Sequence, residues 1–192
     1  ALKPAPLDAD EFRGLPALFE VCAGARVLFT TNGWEEAGLM NGALGWVRGF
    51  MWPAGGNPAS EDPRLRSPLC IFVEFDDVCL GVDEAGVERT FFPGDAEKRH
   101  WIPIYRHVAY SVSEDSVARK QFPLVLAWAL THWKAQGMTL RRARVSLGRR
   151  AAGIPGIGYV AVTRVKHPRH LLLILLLAKT RLSPLARSIM RL

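Results

Sequence analysis

Between Gln121 and Thr139 the chain places several polar groups close behind an apolar run. Phe122 to Leu130 carries no charge, and Thr131, His132, Lys134, Gln136 and Gly137 follow within a few residues. An apolar run that feeds polar groups into a glycine-containing turn is how α/β folds put chemistry at the carboxyl end of a buried strand or at a helix terminus. Other chemistries lack their residues. No Ser-His-Asp, Cys-His or paired-carboxylate arrangement is suggested by spacing. The five histidines, His100, His107, His132, His167 and His170, form no metal-ligand motif and read as surface or loop residues. The phosphate loop G-x-x-x-x-G-K-[ST] occurs nowhere in the 192 residues.

Charge is divided unevenly. Residues 1–118 hold 10 Lys/Arg and all 18 Asp/Glu, whereas residues 119–192 hold 15 Lys/Arg and no carboxylate. The net charge of +7 hides this division. A long basic segment without one acid points to a polyanionic partner, either nucleic acid or nucleotide phosphate. A basic face docked on an acidic neighbour, or a composition rich in Arg, Ala and Gly, would produce the same pattern.

The elements that must position these groups follow from hydrophobic patterning. Residues 1–16 are Pro-rich and aperiodic, as in a linker or an edge segment. Residues 25–31 read as a strand closed by the turn signal Asn32-Gly33. Residues 43–50 read as a strand bent or bulged at its glycines. Residues 52–68, with four prolines and two glycines, read as a long exposed loop. Strands are expected at 69–75, 87–92 and 101–105, and this rhythm of short strands predicts a small antiparallel β-barrel over about residues 25–110. Beyond Ser116 the pattern becomes α/β. Residues 122–136 can form a helix with Gly137 at its C-cap, and 144–147 a short strand. Residues 148–158 form a Gly/Pro-rich basic loop, and 159–165 either a strand end or a short helix. Residues 171–177 read as a strand buried on both faces of a parallel sheet, and 183–192 as a basic amphipathic helix capped by Ser183 and Pro184.

Cys22, Cys70 and Cys79 are too few and too scattered for a disulfide framework or a closed zinc site, which favours a reducing compartment. The first residues show no signal-peptide pattern. The eight-residue apolar run 171–178 falls far short of the roughly 20 needed to cross a bilayer, so no membrane partner is expected.

Three segments resemble one helicase family. Gly24-Ala25-Arg26-Val27 through Asn32, followed by Gly38-Leu39-Met40-Asn41-Gly42-Ala43-Leu44-Gly45, is similar to the block "GARVMLTRN…GLVNGxxG". Residues 121–140 are similar to "QFPLxLAWAxTIHKSQGMTL", and Tyr159 to Val165 to "YVALSRV". In order and spacing these match the C-terminal part of PIF-type helicases, the RecD-like branch of superfamily 1 (1B), over roughly residues 14–178. The resemblance implies an α/β fold carrying an inserted SH3-like antiparallel β-barrel. It divides the chain into residues 1–23 (linker or edge), 24–115 (barrel with the long loop 52–68) and 116–192. The last would be the C-terminal half of the second RecA-like domain of a P-loop NTPase.

Such helicases step along single-stranded DNA by closing two RecA-like domains around ATP and Mg²⁺, and unwind duplex DNA in the 5′-to-3′ direction. By resemblance, Thr131, Lys134, Asn41 and Thr139 contact DNA, a hydroxyl and a cation suiting phosphate oxygens without reading sequence. Gln136 and Gly137 approach the nucleotide, and Arg164 is the arginine finger at the γ-phosphate. No metal ligand is expected. Trp46, Trp52, Trp101 and Trp128 read as core residues that could alternatively stack on bases.

The chain departs from the family at Trp133 and Ala135, which replace His and Ser, and at His132, which replaces Ile. Expected DNA contact at Thr131 and Lys134 therefore has altered neighbours. Arg141-Arg142-Ala143-Arg144 stands where the family tends to carry acids, and Thr163 replaces Ser. The first RecA-like domain, which carries the phosphate-binding Lys and the Mg²⁺-positioning acids, has no counterpart in these residues. It is expected in cis or in trans, and the chain alone is expected not to hydrolyse ATP. The setting expected is intracellular, nuclear or mitochondrial in a eukaryote. A single-stranded nucleic-acid-binding module without enzymatic activity, or a non-functional remnant, remain the other classes.

Overall fold

A computed structural model describes residues 8–62, 65–113, 116–147 and 156–174. The chain divides into two compact units, Ala1–Ala129 and Leu130–Leu192.

The first unit is built on a five-stranded antiparallel sheet. In chain order its strands are β1 (Arg26–Phe29), β2 (Leu44–Met51), β3 (Cys70–Phe75), β4 (Trp101–Tyr105) and, after the hairpin β5 (His107–Tyr110)–β6 (Ala118–Gln121), β7 (Leu124–Leu126). Their spatial order is β4-β3-β2-β1-β7. Period-two alternation sends Val27, Val47, Ile71, Val73, Ile102 and Leu124 into one core, each at most 5% exposed. Burying each such side chain stabilises the sheet by roughly 1.5–3 kcal/mol. Arg26, Trp46, Glu74 and Trp101 are paired across neighbouring strands on the opposite face.

Two details of β2 follow from its glycines. The pairing with β3 shifts between Val47 and Gly49, the bulge expected of this stretch. At Gly45 a Cβ would stand 2.6 Å from Val73 Cγ1 and 2.8 Å from the Glu74 carbonyl oxygen, so the strands approach too closely for any side chain.

The structure corrects several sequence expectations. Residues 122–136 do not form a helix. Leu124 instead pairs with Phe29 at the free edge of β1 and is fully buried, and the chain then passes into turns. Packing against an existing core outweighs helix propensity here. Thus a strand lying after residue 115 completes the sheet of the first unit. Residues 87–92 form no strand; Glu88 makes one isolated bridge to Val82. The Asp83 carboxylate accepts from the Ala85 and Val87 amides at 2.9 and 2.8 Å, and this local turn competes with strand pairing. Phe92 packs edge-on against Phe72 instead, with ring centroids 5.3 Å apart. Loop 52–68 is tied at its end by Arg106, whose Nη2 donates to Ser67 Oγ and the Pro68 carbonyl at 2.7 and 2.9 Å.

In the second unit β8 (Ala143–Ser146) pairs in parallel with β9 (Leu171–Ile174), and helix α1 (Ile157–Val162) lies between them in sequence. The short helix is the alternative that residues 159–165 adopt. The parallel strand is as expected, but β9 alternates between half-buried and exposed, with Leu172 55% exposed. Among the described residues it has one strand neighbour, β8. The helix expected over 183–192 and most of the loop 148–158 lie outside the described residues.

Candidate functional site

The polar segment after β7 is a succession of tight turns. The Thr131 carbonyl accepts from the Ala135 amide at 3.1 Å, Trp133 from Gln136 at 3.2 Å, and Ala135 from Met138 at 3.2 Å. Thr131 Oγ1 also accepts from the Lys134 amide at 3.4 Å. Ala135 is the side chain these turns bury, while Thr131, Lys134, Gln136, Gly137 and Thr139 are exposed. The segment thus presents a hydroxyl, an ammonium and an amide to solvent on a hydrogen-bonded backbone.

Gly137 has φ +81°, in the left-handed region. A Cβ there would meet nothing within 4 Å. Within this chain the glycine is required by backbone conformation, not by crowding.

Arg164 is brought to this segment through the backbone. The Leu140 amide donates to the Arg164 carbonyl at 2.7 Å, and Leu140 forms an isolated parallel bridge with Val165. Thr139 and Arg164 therefore flank one pairing. The Arg164 guanidinium folds back on α1: Nε donates to the Val160 carbonyl at 2.9 Å and Nη2 to Thr163 Oγ1 at 3.0 Å. Thr163 Oγ1 in turn donates to the Tyr159 carbonyl at 2.8 Å. A helix end leaves carbonyls without intrahelical partners, so an arginine is well placed there. Nη1 takes no part in these bonds, and reaching a phosphate with the whole guanidinium requires it to leave α1.

Asn41 belongs to the first unit. Its amide donates to Asn32 Oδ1 at 3.1 Å, closing the loop between β1 and β2, and the residue is exposed. Gly38 in the same loop has φ +84°, and a Cβ there would lie 3.1 Å from the Asp77 carbonyl oxygen.

The electrostatics of the units differ. In the first, Arg48 bonds Glu74 at 2.7 Å, Arg99 bonds Glu88 at 2.6 Å, and Arg26 forms a two-point pair with Asp76. Residues 130–192 contain no Asp or Glu, so Lys134, Arg141, Arg142, Arg144 and Arg164 have no carboxylate within their own unit. The donor set fits the phosphates of a nucleotide or nucleic acid. It does not fit Mg²⁺, which needs oxygen ligands, and among the described residues no group of three His, Cys, Asp or Glu could hold a metal. No helix among them is long and apolar enough to cross a membrane.

Two tryptophans depart from the expected core placement. Trp128 is 66% exposed and meets Trp46 edge-on at 5.9 Å, with the Arg26 guanidinium 4.9 Å from the Trp46 ring. Alternation in β2 carries the signal, since inward Val47 puts Trp46 outward. Beside Trp128 a groove of about 450 Å³ is lined by Glu20 to Ala25 and Leu126. Trp101 and Trp52 are half-buried, against Phe72 and Phe50 respectively.

No protein-family model matches the chain. Individual proteins do. The chain is 32% identical to the ATP-dependent DNA helicase PIF1 of Homo sapiens over 149 residues, covering 78% of this chain and 18% of that protein. It is 40% identical to the ATP-dependent DNA helicase Pif1 of a Psychrobacter species over 188 residues, covering 86% of this chain and 27% of that protein. The crystal structure of Pif1 helicase from Candida albicans matches 92% of this chain and 36% of its own, with a TM-score of 0.58 at 22% identity, a likeness of fold. The chain thus spans roughly a fifth to a quarter of the curated relatives it matches.

Proposed function

We propose, from the premise that this chain is related in sequence and fold to one segment of the Pif1 helicases, that it forms the C-terminal part of an ATP-dependent DNA helicase. Its first unit would be the inserted SH3-like β-barrel. The hairpin β5–β6 supports this by joining β4 and β7, the two edge strands of the sheet. Its second unit would be the later half of a RecA-like domain. The observation that carries the reading is the carboxylate-free second unit, in which exposed Thr131, Lys134 and Gln136 lead through Thr139 into the backbone pairing with Arg164.

In this reading Thr131 and Lys134, with Asn41 and Thr139, hold the backbone of single-stranded DNA by a hydroxyl, a cation and amide groups. Gln136 and Gly137 lie beside ATP. Arg164 leaves Val160 and Thr163 to meet the γ-phosphate, where an arginine finger accelerates phosphoryl transfer by roughly 10³–10⁵. ATP bound with Mg²⁺ supplies the energy for 5′-to-3′ translocation and duplex unwinding. The Mg²⁺ ligands and the phosphate loop would come from a first RecA-like domain in cis or in trans. The 192 residues alone then bind DNA without turning over ATP. The setting would be a DNA-containing compartment, nuclear or mitochondrial in a eukaryote. A DNA-binding module without catalysis is the second reading. The Arg164 guanidinium, occupied at Nε and Nη2, favours it.

Anisotropy of a labelled oligodeoxythymidylate, titrated with the 192-residue chain at 50–200 mM salt, tests DNA binding. Affinity should fall steeply with salt, and Lys134→Ala should make the log–log slope shallower by about 0.7, the release expected for one single-strand phosphate contact. No binding at low salt, or binding indifferent to salt, sinks the proposal. DNA-stimulated phosphate release by the chain alone would overturn its dependence on a first RecA-like domain. ATPase activity on adding that domain, lost in Arg164→Ala, separates the helicase reading from the binding module.

A further inference from the structure

The first unit contains a second, smaller core, separate from that of the sheet. Phe12 and Leu15 are buried with Ala109 of β5, and Val117 packs against them. Polar groups close this contact. Glu11 Oε1 accepts from Ser111 Oγ at 2.7 Å, from the Ser113 amide at 2.8 Å and from the Ser113 hydroxyl. The Val112 amide donates to the Glu11 carbonyl at 3.0 Å. From β6, the Arg119 guanidinium lies 4.0 Å from the Phe12 ring centroid and donates to the Leu15 carbonyl at 2.8 Å. Residues a hundred positions apart are therefore held by one carboxylate and one guanidinium.

We infer that Glu11, Ser111 and Ser113 form a latch, which lets residues 8–15 leave the hairpin β5–β6 as a unit while the five-stranded sheet stays folded. Two features support local opening. The residues released, Phe12 and Leu15, belong to the small core and not to the main one. The closing carboxylate is half-buried, so water can replace the hydroxyls when it opens. A segment held by so small a separate core opens at lower free energy than the strands of the main core. The charge of Glu11 closes the latch. Its carboxyl is held below the usual range first by the Ser113 hydroxyl, then by Ser111 and the Ser113 amide, so these partners favour the ionised form.

The latch has a structural consequence. One residue, Arg106, separates β4 from β5, and Phe122-Pro123 separates β6 from β7. The hairpin that holds residues 8–15 is thus continuous with both edge strands of the sheet, including the one that leads into the polar turns.

Hydrogen exchange by mass spectrometry on the 192-residue chain tests the latch. Glu11→Gln removes the charge, and Ser113→Asp sets a like charge against it. Each should raise exchange in residues 8–15 and 107–113 on the order of tenfold, the effect of losing a charge-assisted hydrogen bond. Exchange in 44–51 and 70–75 should not change. Ser113→Thr keeps the hydroxyl and should stay within about twofold of the parent. Equal acceleration across all four segments, or global unfolding of either charge variant, would overturn the latch as a local device. No acceleration in either variant would overturn it as well.

Discussion

In the first unit basic groups meet carboxylates of the same unit; the second has no Asp or Glu to meet them. Arg26, Arg48, Lys98 and Arg99 each meet a carboxylate of the same unit. Water screens such pairs near the surface, so they add little to stability. They neutralise a sheet that its apolar core holds together. Residues 130–192 carry 13 Lys/Arg and no Asp or Glu, so nothing in that sequence offsets their mutual repulsion. One unit pairs its basic groups with its own carboxylates, and the other has none to pair with, which is why an anionic partner is proposed for it.

The largest expected effect is on the first unit. Leu124 is fully buried and secures β7 against β1, so Leu124→Ala should cost about 3–4 kcal/mol in urea unfolding of the first unit. A loss below about 1 kcal/mol, as at a surface site, would break the division by removing β7 from the first unit's core.

Two glycines sharpen the comparison. At Gly45 the sheet leaves no room, with Val73 Cγ1 2.6 Å from a Cβ position, and Gly45→Ala should destabilise by about 2 kcal/mol through overpacking. At Gly137 there is room but φ is +81°, and Gly137→Ala should cost about 1 kcal/mol in strain. Thermal melts of both variants test this order. The reverse order would mean that the turn is more tightly determined than the sheet.

The first unit was the more legible part. Strands β1 to β4 are short runs rich in apolar residues between Gly, Pro and Asn-Gly turns, and each lies near its expected position. The hairpin β5–β6 was not anticipated. His107-Val-Ala-Tyr and Ala118-Arg-Lys-Gln show little apolar alternation, because Ala109 packs into the small core of Phe12 and Leu15 while Val108 and Tyr110 face solvent. Leu124 to Leu126 read equally well as helix, since a three-residue strand is identified only by the edge it joins. Gly137 signals a chain reversal in the sequence, and its φ of +81° agrees, but the residues before it form turns where a helix is expected. The contact of Arg164 with Val160 was not legible, because it depends on where α1 ends, and residues 159–165 fit a strand or a helix equally.

The smallest expected effect lies within the first unit, at acid pH. Glu11 is held below its ordinary value of 4.5 by the Ser113 and Ser111 hydroxyls and the Ser113 amide. Among the described residues, the other charged groups on the segment are Asp8, Asp10 and Arg13, and Arg119 meets it from β6. A carboxyl whose folded pKa is depressed stabilises the folded state fully above its unfolded value. That contribution is lost as pH falls from about 4.5 through the lower folded value. Exchange in residues 8–15, corrected for the intrinsic rate, should therefore rise on acidification below pH 4.5 before β2 and β3 respond. Glu11→Gln should flatten that rise. A wild-type profile that follows the Glu11→Gln profile at every pH would show that the protonation of Glu11 does not govern the segment, and would leave only the apolar contact of Phe12 and Leu15 to hold it.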